Sequence, residues 1–216
     1  MRPRAAPPVL ALAALALAGC GAGPTVARSR PLGESVRSLQ ISSRVDVRVR
    51  HGAQPAVTVR AGRDVIDRVV TRTEGDVLRV AIRDRGIVIG ADPLKHVTVD
   101  VTLPRLDDVL VDGSADVDLG GMRARTLTFR VRGAGSLHAR GRVGRLVTDI
   151  RGAADARLTR LYARTARISV EGAGGVDVAV SKRLSVFVRG AGDITYHGAP
   201  AVTKDISGPG TVRHAG

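Results

Sequence analysis

Apolar residues return along the second half of the chain in columns that only stacked strands can use. Six glycine-led triplets set the frame: Gly113-Ser114-Ala115, Gly133-Ala134-Gly135, Gly152-Ala153-Ala154, Gly172-Ala173-Gly174, Gly190-Ala191-Gly192 and Gly208-Pro209-Gly210. Their leading glycines are 20, 19, 20, 18 and 18 residues apart. Two residues before each glycine stand Val111, Val131, Ile150, Val170, Val188 and Ile206, and four before it Val109, Phe129, Thr148, Ile168, Val186 and Lys204. Four after it come Val117, Leu137, Ala156, Val176, Ile194 and Val212, and six after it Leu119, Ala139, Leu158, Val178, Tyr196 and His214. Inward positions therefore alternate on both sides of the glycine. The pattern predicts two short strands per coil meeting at a glycine corner, with like residues stacked about 4.8 Å apart on successive coils.

A fixed repeat of this length is the signature of a chain that stacks one supersecondary unit on copies of itself. The expected fold is all-β: a single-domain parallel β-helix or β-solenoid with coils of about 18–20 residues. Glycine suits the corner because a sharp bend asks for positive φ and stacked bends leave no room for a Cβ. Lys204 and His214 interrupt otherwise apolar columns and mark a terminal capping coil, which protects the last strand from edge pairing.

Residues 38–104 follow the same logic less regularly. Arg44 to Arg50 alternates strictly, as do Val57 to Arg60, Val97 to Val101 and part of Val77 to Ile82. Glycines 52, 62, 75 and 86 separate these runs as turn signals. Asp64 to Arg72 admits a short helix or a strand, and its β-branched content favours the strand. The solenoid thus spans 38–216, with less regular coils over 38–104 and regular ones over 105–216.

The N-terminus has a different character. Arg2 and Arg4 precede an apolar run from Val9 to Ala18, and Leu17-Ala18-Gly19-Cys20 follows. Ten apolar residues rise only about 15 Å as a helix, half of a hydrocarbon core, so residues 1–19 read as a secretory signal that is removed. The four-residue motif resembles the lipobox of bacterial lipoproteins, which implies acylation at Cys20, membrane attachment through it and release to the outer membrane, given Gly21 at the next position. Residues 20–37, rich in Gly, Pro, Ser and Arg, read as a flexible tether. Cys20 is the sole cysteine, so no intrachain disulfide forms.

Composition adds one further feature. Lys and Arg number 34 against 20 Asp and Glu, a formal net charge of +14, while aromatic residues make up 2%. Twelve arginines fall between Arg123 and Arg167, where the acids are Asp149 and Asp155. Arg130, Arg132 and Arg151 are the candidate anion-binding residues, because arginines such as Arg132 and Arg151 on successive coils repel unless an anion occupies them. Acidic glycans or anionic lipid headgroups are the expected partners. Nucleic acid is excluded by export and by the dearth of stacking aromatics.

Catalysis finds little support. Asp116 and Asp155 would stand two coils apart, about 9.6 Å by strand spacing, near the separation of an inverting glycosidase pair. An aspartate leaving a turn more commonly bonds to backbone, so a polysaccharide-active enzyme is the weakest alternative. The five histidines show no metal-ligand spacing, and the repeat is twice the length of a calcium-roll repeat. No metal and no cofactor are expected.

The stretch from Leu184 to Pro200, with Val188-Arg189-Gly190-Ala191-Gly192-Asp193-Ile194, continues to Ile206-Ser207-Gly208-Pro209-Gly210-Thr211-Val212. Together with Val101 to Leu106 and the Gly113 turn, it resembles the head GIN domain family, described as putative auto-transporter adhesins, over roughly Leu39 to Gly216. The resemblance implies a β-solenoid on the bacterial envelope, frequently behind a lipoprotein signal, and no catalytic residues. The expected role is a non-catalytic envelope lipoprotein acting in adhesion or envelope interaction; the alternative is a periplasmic scaffold.

Overall fold

The computed structural model describes residues 25–83 and 97–215, and here the alternation of the sequence becomes strand almost throughout. The chain forms β1 (Thr25–Arg30), β2 (Ser38–Ile41), β3 (Asp46–His51), β4 (Ala56–Gly62), β5 (Val69–Glu74), β6 (Val77–Ile82) and β7 (Thr98–Leu103). It continues through β8 (Asp108–Ser114), the long β9 (Asp116–Gly172), β10 (Gly175–Gly190), β11 (Asp193–His197), β12 (Ala201–Ser207) and β13 (Thr211–His214). All thirteen belong to one sheet around one hydrophobic core. The described residues form an all-β single domain. The signal segment 1–19, Cys20 and Gly86 lie outside them.

Successive repeats pair in parallel, like residue beside like. Val111 pairs with Val131, Gly113 with Gly133, Val176 with both Ala156 and Ile194, Val188 with both Val170 and Ile206, and Ile194 with Val212. The columns run back into the less regular half: Leu39 lies beside Val109 and Leu78, and Val47 beside Val117 and Val99. Nearly every inward residue is buried, from Leu39 and Ile41 through Phe129 and Ile150 to Val188. Each such side chain contributes about 1.5–3 kcal/mol through removal from water.

The six corner glycines all carry positive φ, between +119° and +131°. A Cβ on Gly133, Gly152, Gly172, Gly190 or Gly208 would fall under 3.0 Å from the carbonyl oxygen of the glycine one repeat earlier. The column is glycine because backbone stacks directly on backbone.

Several expectations are corrected. Residues 20–37 were expected to be a tether, but Thr25–Arg30 is a strand that pairs antiparallel with β4 from Thr25–Gly62 to Arg30–Val57. Its exposed alternating side chains resemble loop composition, while its backbone covers the edge of β4. Residues Arg63 to Arg68 are neither helix nor strand but turns, closed by Val65 and Ile66 N–H donating to Gly62 O, with both side chains buried. Strand begins only at Val69.

The N-terminal half is also not purely parallel. β4 runs antiparallel to β7, and β5 antiparallel to β6 across Gly75-Asp76. A two-residue connection with Gly75 at φ +62° can only return the chain as a hairpin.

Each repeat contains a third run of strand beyond the two expected. It starts at a second corner, marked by positive-φ Gly121, Gly141 and Gly198, and leads to the next repeat. This return run buries Met122 and Leu127, Val143 and Leu146, Leu161, Ala163 and Ala166, and Val180 and Leu184. In the last described repeat Lys204 and His214 are exposed and Ile206 is 37% exposed.

Candidate anion-binding surface

Three outward rows follow from the three runs, and their charges differ sharply. The run before each corner glycine points Asp108 and Asp112, Arg130 and Arg132, Asp149 and Arg151, Arg167 and Glu171, Arg189, and Asp205 outward. Acids and arginines balance there, and they meet. Arg130 pairs with Asp108. Arg132 lies in register with Asp112. Arg151 Nε stands 3.6 Å from Asp149 Oδ1 and 3.7 Å from Glu171 Oε2. Glu171 in turn lies in register with Arg189.

The three arginines chosen from sequence thus occupy the row that the fold itself neutralises. Such exposed pairs stabilise by about 0–1 kcal/mol at most, but they lower the local potential that would draw an anion. The expected Arg132–Arg151 stack is bracketed by Asp112 and Glu171 one repeat to either side.

The run after the corner glycine is similarly self-satisfied. Asp116 Oδ1 accepts from the Ser136 N–H at 2.9 Å and the Ser136 hydroxyl at 2.6 Å. Asp155 Oδ1 accepts from the Gly175 N–H at 3.0 Å, and Asp193 Oδ1 from the Thr211 hydroxyl at 2.5 Å. These aspartates tie one repeat to the next. Asp116 and Asp155 are held by separate partners, with Ser136 belonging to the repeat between them, so the pair considered for glycoside chemistry has a structural employment. Further along, Arg140 donates to Asp118 at 3.2 Å, and Arg157 Nη1 lies 3.2 Å from His138 Nε2. Arg48, Arg50, His51 and Arg140 line a concavity of about 490 Å³, but Asp118 shares it and pairs with Arg140.

The return run is different. From Gly120 onward it carries Arg123, Arg125, Arg142, Arg145, Arg160, Arg164, Lys182 and Arg183, all exposed, and no Asp or Glu. Among the described residues none of these eight makes an ion pair, whereas ion pairs engage Arg130, Arg140 and Arg151 on the other two rows. Unscreened cations on one surface create a positive potential that reaches about a Debye length, roughly 8 Å at physiological salt.

A concavity of about 620 Å³ opens on this same surface. Its floor is Ala124, Val143, Ala163, Ala179 and Val180, and Arg142, Arg164 and His197 stand at its margin. Tyr162, 61% exposed, belongs to its wall. A local irregularity places it there. The offset between paired residues falls from 20 at Leu158–Val178 to 17 at Tyr162–Ala179, so Thr159, Arg160 and Leu161 are extra residues at this corner. The fixed-offset columns of the sequence do not pass through such a corner, and the groove was invisible to them. The detectable signal was the absence of acids in the run that follows each second corner, residues 120–127, 140–147, 158–166 and 179–184.

Among the described residues no group of His, Cys, Asp or Glu is placed to hold a metal ion. His214 instead stacks on Tyr196, with ring centroids 5.0 Å apart, and donates to Gly198 O at 2.8 Å.

Comparison with known proteins matches this architecture. A family model described as "Putative auto-transporter adhesin, head GIN domain" matches residues 37–200. Among solved structures, a putative adhesin from Bacteroides fragilis is similar with a TM-score of 0.72 at 16% identity, covering 88% of this chain and 97% of its own. A putative adhesin from Parabacteroides merdae is similar with a TM-score of 0.53 at 15% identity, covering 92% and 98% respectively. No curated protein matches the chain.

Proposed function

The chain belongs to the head GIN domain family of putative auto-transporter adhesins, and from that premise we propose that it is a non-catalytic binding module of the bacterial envelope, built as a β-solenoid. The observation that carries the proposal is the segregation of charge. Two outward rows interleave acids with their arginines, with ion pairs at Arg130, Arg140 and Arg151, and the third displays eight cations without an acid. A surface that tolerates such self-repulsion has a use for an anionic partner.

The mechanism is display. In this proposal the signal segment 1–19 is removed, Cys20 is acylated, and the anchor holds the domain at the membrane, with the outer membrane its destination. The tether shortens to the few residues between Cys20 and β1, since β1 pairs with β4. The solenoid then presents its basic row in fixed geometry. Because binding and not bond cleavage is the task, the aspartates at 116 and 155 can be spent on linking repeats.

Adhesion and a periplasmic scaffold differ in which side of the outer membrane is occupied. The basic row suits phosphate-bearing headgroups as well as acidic glycans, which keeps the scaffold as the second reading. Fractionation of cells expressing the native chain or Cys20→Ser tests the anchor: the native chain sediments with membranes and the variant is released. Protease added to intact cells tests exposure, with a periplasmic protein as control. Digestion with the control intact supports adhesion. Protection until lysis supports the scaffold, and sedimentation of the Cys20→Ser variant with membranes would overturn anchoring by acylation.

A further inference from the structure

We propose that the groove beside Tyr162 is a saccharide subsite that takes an acidic glycan, one sugar ring against the tyrosine and its acid group on Arg142 and Arg164. The inference rests on the basic row being a binding surface and names the ligand class that row accepts.

Three observations converge on this class. The first is shape. The groove crosses five repeats, from Ala124 through Val143, Ala163 and Val180 to Ala199, four steps of about 4.8 Å or roughly 19 Å in all. That length suits a chain of linked rings better than one headgroup. The second is the wall chemistry. A pyranose has an apolar C–H face and a polar edge; an exposed tyrosine ring matches the face, and its hydroxyl matches the edge. Tyr162 is the one large aromatic held out to solvent among the described residues, 61% exposed in a chain with 2% aromatics. The third is charge. Arg142 and Arg164 line the groove beside its apolar residues, neither makes an ion pair among the described residues, and guanidinium forks bind carboxylate or sulfate groups with two parallel bonds.

A bilayer fits less well. Interfacial surfaces project their apolar side chains into the acyl boundary, but here Val143, Ala163, Ala179 and Val180 are buried and recessed beneath exposed arginines. A flexible polymer can follow such a surface; a flat membrane meets arginine heads and a single projecting ring, Tyr162.

The test titrates the intact domain with three probes: an oligomer of a uronic acid, inorganic polyphosphate, and vesicles of phosphatidylglycerol in phosphatidylcholine. The variants are Tyr162→Ala, Tyr162→Phe and Arg164→Ala, each at an exposed position, with circular dichroism confirming that the fold is kept. The expected result is that uronate affinity falls about tenfold in Tyr162→Ala and is retained in Tyr162→Phe, since the ring face carries the contact. Polyphosphate, which has no ring to stack, loses affinity only in Arg164→Ala. Equal uronate affinity in Tyr162→Ala and the native protein overturns the subsite and leaves the basic row standing. Binding of none of the three probes overturns the subsite and the proposed anion binding together. Binding to vesicles alone overturns it in favour of a bilayer.

Discussion

Replacing Gly152 with alanine tests the stacking of the repeats at one of its tightest points. Gly152 sits at φ +131°, and an added Cβ would fall under 3.0 Å from the carbonyl oxygen of Gly133 in the preceding repeat. Two costs follow. Holding an L-residue in the left-handed region costs about 1–2 kcal/mol. The Cβ meets backbone and not the end of a flexible side chain, so the repeats must separate locally, an overpacking cost of about 1–3 kcal/mol. Together these give a loss of roughly 2–5 kcal/mol, a large share of the roughly 5–15 kcal/mol that holds a domain folded. For a domain of this size the midpoint of thermal unfolding should drop by roughly 4–20 °C.

Gly62→Ala is the control, because Gly62 has no positive φ and a Cβ there would meet nothing within 4 Å. Its effect should stay within about 0.5 kcal/mol. Thermal melts of the purified variants followed by circular dichroism at strand wavelengths read both. Equal midpoints for Gly152→Ala and Gly62→Ala would refute the backbone-on-backbone column, and with it the reason for glycine at every corner.

Two further substitutions probe the interior and the aspartate links. Thr148 is 1% exposed in the column of Phe129 and Ile168, and its hydroxyl has no partner among the described residues; Thr148→Val should therefore stabilise by about 1–2 kcal/mol, seen as a higher melting midpoint. Asp116→Asn and Asp155→Asn should each cost roughly 0.5–2 kcal/mol by weakening a charged acceptor. Binding to acidic polymers should remain at least at the native level, as measured by calorimetry, because neither carboxylate serves the basic row.

The repeat and its inward columns were legible in sequence because two constraints reinforce each other: a corner that admits only glycine, and a strand period of two on either side of it. Val111, Val131, Ile150, Val170 and Val188 could be placed in one buried column with no further information. The failures have physical causes. β1 has no apolar face to read: Thr25–Arg30 is exposed along much of its length and is held by backbone pairing with β4. The direction of β5 is set by the Gly75 hairpin and not by its side chains.

Charge was the least legible feature. A local count of arginines selects Arg130, Arg132 and Arg151, whereas the acids that pair with Arg130 and Arg151, Asp108 and Glu171, and the Asp112 in register with Arg132 lie about twenty residues away along the chain and one repeat away in space. Only the register reveals which arginines have company. The unaccompanied ones lie on the return run, where the three extra residues at Thr159–Leu161 break the fixed offset that exposed the other columns.

The central claim is that the return run, and not the other rows, engages an anionic partner. Its most direct test compares Arg142→Glu, Arg160→Glu and Arg164→Glu combined in one variant with Arg130→Glu, Arg132→Glu and Arg151→Glu combined in another, both measured for binding to an acidic polysaccharide. The two variants change net charge equally, so any difference between them reports position. Loss of binding in the return-run variant, with most affinity kept in the other, is the predicted result; equal loss in both, or loss confined to the Arg130, Arg132 and Arg151 variant, would contradict it.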